Sequence, residues 1–289
     1  DLLNRAAAAA GRDLRVALRV NPGIAPRVHR YVATGGDQAK FGIAPREALA
    51  AWAARARWPR LQLDGVHVHV GSQLAGPAAL ERALAAVFEL TEASERRGAP
   101  LALVDLGGGF GVDYGDGRAF PLERWAARLA ARARGRAFRW VLEPGRWITA
   151  PAGVLLAEVL AVKTRGRQRF VVLAAGMNDL LRPALYGAAH RIEPLAPRRG
   201  ARTRAAVVGP VCESADVFAD NILLPPLEPG DVVVIRDAGA YGAVMSSNYN
   251  GRGRLAELVA EGGRLTRARA AESVDDLLRR DRADRLPIG

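Results

Sequence analysis

Two glycine-rich turns, each following a short β-type run, most constrain the fold of this chain. One is DLGGGFG at residues 105–111, and the other is EPGR at residues 143–146. The residues between them, 122–134, have the apolar spacing of an amphipathic helix. The order strand, turn, helix, strand, turn is typical of parallel β/α units, whose loops meet at one edge of the sheet.

The residues of these turns are suited to binding a phosphate. Gly107, Gly108 and Gly109 let backbone N–H groups approach an anion without interference from a Cβ atom. Arg146 adds a planar and permanently charged donor. In (β/α)8 barrels the phosphate site commonly lies in the loops after the last two strands. We therefore predict a phosphate cradle.

The composition bounds the class of protein. The chain has 289 residues, 49% of them hydrophobic, which is enough for a sizeable core and two domains. Its single cysteine, Cys212, excludes a disulfide framework and favours the reducing cytoplasm. The longest apolar run, around 154–162, is interrupted by Glu158 and is too short to cross a bilayer. We expect a soluble cytoplasmic protein that does not bind a membrane.

The net charge of +12 comes almost wholly from arginine, because Lys40 and Lys163 are the only lysines. The arginines are interleaved with Asp and Glu instead of forming a basic stripe with exposed aromatic residues. This pattern predicts solvated helix faces and no nucleic-acid binding. A basic surface would still attract anionic small molecules.

The first part of the chain alternates strands and helices up to about residue 150, which predicts parallel structure. The predicted strands span 16–20, 66–70, 101–106 and 140–142, and the predicted helices span 45–56, 77–97 and 122–134. A complete eight-unit barrel needs about 250 residues, so we expect a partial barrel over 1–150 with about the last four β/α units. Residues 1–10 read as the end of a helix with no strand before it, which indicates an N-terminal truncation.

The second part, 151–289, is rich in β-type segments joined by short connections that contain proline and glycine. These connections are too short for crossover helices, so a mainly antiparallel β domain is expected. Its predicted strands are 153–163, 169–174, 204–208 and 231–236, and a late helix is predicted at 273–280. The predicted fold class is therefore α/β plus β.

Two histidines share one face of a predicted strand. His67 and His69 alternate with valines in the run HVHVGS, so their side chains point the same way. Such a pair fits a metal site, two satisfied core histidines or an aromatic platform for a planar cofactor. The hydroxyl of Ser72, just beyond, favours a cofactor that carries a phosphate. His29 and His190 lie in no clear ligand pattern.

Six motifs together resemble a known family. In chain order they are HVHVGSQ, DLGGGFG, EPGR, MNDLLRPALYGAAH, GPVCESAD and GAYG followed by VMSSNYN. The set resembles the fold type III, alanine-racemase-type decarboxylases, and is most similar to members that convert meso-2,6-diaminopimelate to L-lysine and CO2. The resemblance covers about residue 19 to the C terminus. It implies a (β/α)8 barrel followed by a β domain, a pyridoxal phosphate cofactor, no metal, a small amino-acid substrate and a homodimer with shared active sites.

The resemblance also implies residue roles at the cofactor. His69 would stack on the cofactor ring, and Glu143 would keep the pyridine nitrogen protonated. From its position alone, Glu143 also fits an N-terminal helix cap before Pro144. The implied phosphate contacts are Ser72, Gly107, Gly108, Gly109, Gly145, Arg146 and Tyr241.

Further roles concern the substrate. Arg182 and Tyr186, together with Arg146 and Tyr241, resemble the contacts to its carboxylates. Glu213 would recognise the distal ammonium group, and Cys212 would return a proton to Cα after CO2 leaves. The segment Cys212-Glu213-Ser214 resembles one that reaches into the neighbouring subunit's site. Without the resemblance, a lone cysteine such as Cys212 is more often an inert, buried apolar residue.

The chain departs from the family at one point. The family holds its cofactor through a Schiff-base lysine on the first barrel strand, and neither Lys40 nor Lys163 matches that motif. We therefore expect the chain as given to be inactive or nearly so.

Three alternatives stay open beside decarboxylation of diaminopimelate. One is a related decarboxylase of ornithine, arginine or carboxynorspermidine. Another is a noncatalytic protein that binds pyridoxal phosphate. The third is a metal-dependent hydrolase built on His67 and His69, which lacks further ligands at plausible strand ends.

Overall fold

The computed structural model describes residues 1–24 and 40–279, which form two compact units. Within the described residues, unit 1 comprises 1–24, 40–113 and 117–148, and unit 2 comprises 114–116 and 149–279. His29 lies outside the described residues. Among those residues, no helix is long and apolar enough to cross a membrane.

Unit 1 contains a four-stranded parallel sheet with helices between its strands. The strands follow one another in the order β1-β2-β3-β4. In chain order the elements are α1 (Leu2–Ala9), β1 (Leu14–Arg19), α2 (Pro45–Ala53), β2 (Leu61–His67), α3 (Ala78–Glu95), β3 (Leu103–Asp105), α4 (Leu122–Ala133), β4 (Arg139–Val141) and α5 (Gly145–Thr149). Consecutive parallel strands with intervening helices are β/α units, so the α/β half of the predicted fold is confirmed.

The core of unit 1 forms because each element buries one apolar face. On α3, Leu80, Leu84 and Val87 recur at helical spacing and are buried. They pack in one cluster with the strand residues Val66 and Val104. This packing fixes the strands, and therefore the loops at their carboxyl ends.

Strand β2 differs from its prediction. It begins at Leu61 and ends at His67, whereas the alternation of histidine and valine predicted a strand over 66–70. The early start was missed because Asp64 interrupts the apolar run. Its carboxylate is paired with Arg15, whose Nη2 lies 2.7 Å from Asp64 Oδ2. His69 consequently lies in the loop beyond the strand.

Unit 2 is built on a six-stranded sheet in the order β7-β10-β5-β6-β8-β9. All of its neighbouring strands are antiparallel except the parallel pair β6 and β8, which confirms the mainly antiparallel β half of the fold. The elements are β5 (Leu155–Arg165), β6 (Gln168–Leu173), α6 (Arg182–Tyr186), β7 (Ile192–Pro194), β8 (Thr203–Val208), β9 (Val217–Leu224), β10 (Val232–Ile235), β11 (Glu257–Glu261), β12 (Arg264–Arg269) and α7 (Val274–Leu278). β11 and β12 pair separately as a hairpin.

Candidate active site

The carboxyl ends of β2, β3 and β4 bring the predicted cofactor residues of unit 1 together. His67, Asp105 and Val141 are neighbours in the strand register. Two residues beyond these positions, the three segments continue to His69, Gly107 and Glu143. The Glu143 carboxylate lies within 4.0 Å of ring nitrogens of both His67 and His69, so the loops that follow the strands meet. The parallel register therefore builds one polar cluster from three loops.

Glu143 faces both histidines of this cluster. Its Oε2 lies 3.5 Å from His67 Nε2 and 4.0 Å from His69 Nδ1. Its backbone N–H donates to the Gly107 carbonyl at 2.8 Å, which anchors the loop after β4 to the glycine turn. The side chain is half exposed, so the carboxylate is reachable from solvent. This orientation favours a site role for Glu143.

His69 presents a neutral aromatic ring. Its Nδ1 lies 3.1 Å from the Gly108 nitrogen and accepts that N–H, so the ring proton of the neutral form is on Nε2. Burial lowers the pKa of His69, and the positive charge of Arg19 lowers it further, while Glu143 acts in the opposite direction. An uncharged imidazole is the form suited to stacking on a pyridine ring.

In the glycine turn, two N–H groups of the predicted phosphate cradle have partners within the protein. The Gly107 N–H donates to Asp105 Oδ1 at 2.8 Å, and the Gly108 N–H is used by His69. A Cβ atom on Gly108 would overlap the Glu143 carbonyl oxygen, and one on Gly109 would overlap the Gly71 carbonyl oxygen. These glycines are therefore required by the close approach of neighbouring loops. Gly109 is the member of the triplet whose N–H takes part in neither of these two bonds.

Arg146 and Ser72 form the cationic side of the cluster. Nη2 of Arg146, in α5, lies 3.1 Å from Ser72 Oγ in the loop after β2. A serine hydroxyl that accepts one hydrogen bond can still donate its own proton to an anion. The neighbouring Gly145 N–H donates to the Glu143 carbonyl at 2.8 Å, and this bond stabilises the turn before α5. The guanidinium and the hydroxyl together provide charge and directional donors for a phosphate.

Asp105 is a site residue that the sequence reading missed. In the sequence Asp105 is only the first residue of the glycine motif, and its site role becomes apparent from its pairing with His67 in the strand register. Burial raises its pKa, the Gly107 N–H lowers it, and the negative charge of Glu143 raises it again. Ligand atoms of His67, Asp105 and Glu143 lie within 4.8 Å of one another, a spacing that a metal ion can use. The hydrolase alternative paired His67 with His69, whereas the structure groups His67 with two carboxylates.

In unit 2, Arg182 and Tyr186 lie at the two ends of the short helix α6. Arg182 is buried, its guanidinium lies 4.2 Å from the centre of the Tyr114 ring, and its Nη1 lies 2.7 Å from His190 Nε2. Tyr186 is partly buried and is followed by Gly187 in a left-handed conformation, which ends the helix. His190 thus has a defined partner that no sequence pattern indicated.

The Cys212-Glu213 turn is exposed, and hydrogen bonds to the nearby Asp216 carboxylate hold the chain just before it. The carboxylate of Asp216 accepts the N–H of Met177 at 2.6 Å and that of Val211 at 2.8 Å. Burial raises the pKa of Asp216, and these two N–H bonds oppose the rise. Glu213 Oε2 accepts a hydrogen bond of 3.4 Å from the Tyr249 hydroxyl.

Tyr241, the remaining predicted site residue, is 45% exposed and adopts the left-handed conformation, with φ of 58°. Non-glycine residues visit this region uncommonly, and such backbone strain clusters at functional positions.

Comparison with known proteins decides the family. Residues 30–239 match the model for the C-terminal sheet domain of pyridoxal-dependent decarboxylases. The chain belongs to this family. The family's cofactor is pyridoxal phosphate, and the resemblance drawn from the six motifs is confirmed.

Individual relatives of the decarboxylase family are similar over nearly the whole chain. The diaminopimelate decarboxylase of Zymomonas mobilis is 40% identical over 282 residues, and that of Pseudomonas aeruginosa is 41% identical over 275 residues. The crystal structure of diaminopimelate decarboxylase from Helicobacter pylori in complex with L-lysine superposes with a TM-score of 0.90 at 37% identity and covers 96% of this chain. The chain spans 66% of the length of the first two relatives and 69% of the third.

The residues of the cluster fit pyridoxal phosphate. His69 offers a neutral ring for the aromatic ring of the cofactor, and Glu143 offers a carboxylate for its pyridine nitrogen. Arg146 and Ser72 offer hydrogen-bond donors for its phosphate. Nη2 of Arg19 is buried and has no hydrogen-bond partner among the described residues, which leaves a cationic donor for a ligand acceptor. The two lysines of the chain are placed as follows: Lys40 Nζ lies 5.1 Å from the centre of the Phe41 ring, and Lys163 lies in strand β5 of unit 2.

Proposed function

We propose that this chain carries most of a decarboxylase that converts meso-2,6-diaminopimelate to L-lysine and CO2. The observation that carries the proposal is the convergence of a neutral His69, the Glu143 carboxylate and the Arg146–Ser72 pair at the ends of adjacent parallel strands. The relatives named above as diaminopimelate decarboxylases support this substrate over others.

The residues of unit 1 bind and orient the cofactor. Arg146, Ser72 and the Gly109 N–H would hold the phosphate, and the neutral ring of His69 would lie against the cofactor. Glu143 would hold a proton at the pyridine nitrogen. When bound, pyridoxal phosphate supplies an electron-withdrawing ring that weakens the bond broken on release of CO2.

Residues of unit 2 recognise the amino acid. Arg182 donates to a substrate carboxylate, and Tyr186 and Tyr241 orient it through their hydroxyl groups. Glu213 pairs with the distal ammonium group. Cys212, which is exposed, delivers a proton to the Cα atom that has lost CO2. In line with the family, the protein acts as a homodimer in which the Cys212-Glu213 turn of one subunit serves its partner.

A second candidate is a decarboxylase of another basic amino acid. The lysine/ornithine decarboxylase of Vibrio vulnificus in complex with cadaverine is 31% identical and has a TM-score of 0.66 over 73% of this chain. The lower score and coverage favour diaminopimelate as substrate.

The test uses the complete product of the gene, supplied with pyridoxal phosphate, and compares meso-diaminopimelate, L-lysine, L-ornithine and L-arginine. We expect kcat/KM for CO2 release from diaminopimelate to be at least about a hundredfold higher than for the other three amino acids. The reason is that Arg182 and Glu213 bind charged groups of the substrate directly. Glu213→Gln should lose most of this preference, while Glu261→Gln, on the exposed hairpin, should keep it. Faster release from ornithine would instead support the second candidate.

A further inference from the structure

His190 is bonded through both of its ring nitrogens. Its Nδ1 lies 2.8 Å from the backbone carbonyl oxygen of Arg236, just after β10. Its Nε2 lies 2.7 Å from Nη1 of Arg182 in α6. His190 is 6% exposed and therefore buried. It links the helix that carries Arg182 to the end of β10, the strand next to the edge strand β7.

The chemistry of the two partners determines the protonation state of His190. A carbonyl oxygen only accepts hydrogen bonds, so Nδ1 must carry a proton. A guanidinium only donates, so Nε2 must offer its lone pair. The geometry is satisfied only by the neutral Nδ1–H tautomer. An imidazolium would place an N–H against the Arg182 guanidinium.

The Arg182 guanidinium also packs against an aromatic ring. The Arg182 guanidinium lies 4.2 Å from the centre of the Tyr114 ring, and the rings of Tyr114 and His190 meet edge-on at 5.0 Å between centroids. Arg182 itself is 4% exposed. The Tyr114 ring packs against the guanidinium, and the bond to His190 holds its Nη1 atom, so the group is restrained at two points.

We propose that His190 is a positioning residue for recognition of the substrate carboxylate. By accepting from Nη1 as a neutral Nδ1–H imidazole, it holds the Arg182 guanidinium in the orientation that binds a carboxylate. The proposal rests on the substrate role proposed above for Arg182. A supporting residue of this kind affects substrate affinity because it reduces the motion that the binding group must lose.

Two amide variants separate the two hydrogen bonds. His190→Gln places a carbonyl oxygen where Nε2 lies and keeps an acceptor for Arg182, but loses the donor to the Arg236 carbonyl. His190→Asn places its amide where Nδ1 lies and keeps that donor, but offers Arg182 no acceptor. The two variants are matched in chemistry, so a general loss of packing affects both.

The measurement is KM and kcat for meso-diaminopimelate with the complete holoenzyme. Since a carboxylate contact made equally in the bound substrate and the transition state changes KM alone, we expect KM to rise at least about tenfold in His190→Asn. In His190→Gln it should rise no more than about threefold, with kcat within about threefold of the original in both variants. Equal KM values in the two variants, or a fall in kcat with KM unchanged, would overturn the proposal.

A second readout does not depend on activity. In ¹⁵N-histidine-labelled protein, the signal that is lost in His190→Gln identifies His190. At neutral pH we expect a protonated Nδ1 and an unprotonated Nε2. The opposite tautomer or a doubly protonated ring would refute the proposal. If the original enzyme releases no CO2 from any of the four amino acids, the proposed function fails, whereas the spectrum still decides the state of His190.

Discussion

Arg146 donates from Nη2 to Oγ of Ser72 over 3.1 Å and so joins the first turn of α5 to the loop after β2. The two residues are 74 positions apart, yet the parallel order of the strands brings their loops to one edge of the sheet. Neither group alone makes an anion site on this surface. Together they combine a fixed charge with a hydroxyl donor, which is what a phosphate requires.

The first prediction concerns this pair. Arg146→Ala should weaken binding of pyridoxal phosphate at least about tenfold, because hydrogen bonds to charged groups contribute about 1.5–3 kcal/mol. Binding of pyridoxal, which lacks the phosphate, should change little. Equilibrium dialysis of both compounds measures the effect, and Arg139→Ala at an exposed position serves as control. An equal loss of affinity for both compounds would show that Arg146 does not contact the phosphate.

The second prediction concerns the glycine turn. Gly108→Ala should lower the free energy of unfolding by about 3 kcal/mol or more, since the new Cβ would overlap the Glu143 carbonyl oxygen. Gly76→Ala is the matched control, because its Cβ would meet nothing within 4 Å. Urea unfolding monitored by tryptophan fluorescence compares the two variants. A fully stable Gly108→Ala protein would contradict the close approach of the two loops.

The third prediction concerns His69 and pH. Its pKa is lowered in the folded protein, so the unfolded chain takes up a proton first as the pH falls below about 6.5. The free energy of unfolding should therefore decline between that pH and the lower folded pKa, while above about 6.5 the contribution is complete. His69→Gln should make this decline shallower. Urea midpoints from pH 7.5 to 5 test it, and identical slopes in the two proteins would disprove the assignment.

The fourth prediction concerns the anchor of the Cys212 turn. Asp216→Ala removes the acceptor of two backbone N–H groups, those of Met177 and Val211, and should cost about 2–4 kcal/mol of stability. Hydrogen exchange of these two amides should accelerate. Asp220→Ala, at an exposed position on β9, should stay within about 0.5 kcal/mol of the original protein. Slow exchange retained in Asp216→Ala would mean that other contacts hold the turn.

The parallel strands of unit 1 were predictable because their central residues are apolar and buried, as at Val66 and Val104. The hairpin of β11 and β12 was not predicted. Its residues are exposed on both faces, so no apolar alternation marks the strands. Strand β9 was missed because Asp220 and Asn221 interrupt its apolar run, and Asn221 adopts a left-handed φ of 58°.

The proximity of the candidate site residues could be predicted where they lie in compact motifs, and not where it depends on distant partners. His69, Ser72, Glu143 and Arg146 stand in short runs at strand ends, and the structure brings them together. His190 had no recognisable pattern, because its partners come from separate stretches of the chain. The use of the Gly107 and Gly108 N–H groups inside the protein could be known only from the loop geometry.

The most direct test of the account is the formation of L-lysine from meso-diaminopimelate by the complete gene product, measured with and without added pyridoxal phosphate. We predict that lysine and CO2 form in equal amounts, that both depend on the cofactor, and that Glu143→Gln abolishes most of the rate while still binding the cofactor phosphate. If a well-folded, cofactor-loaded protein forms no lysine from diaminopimelate, the central claim is wrong.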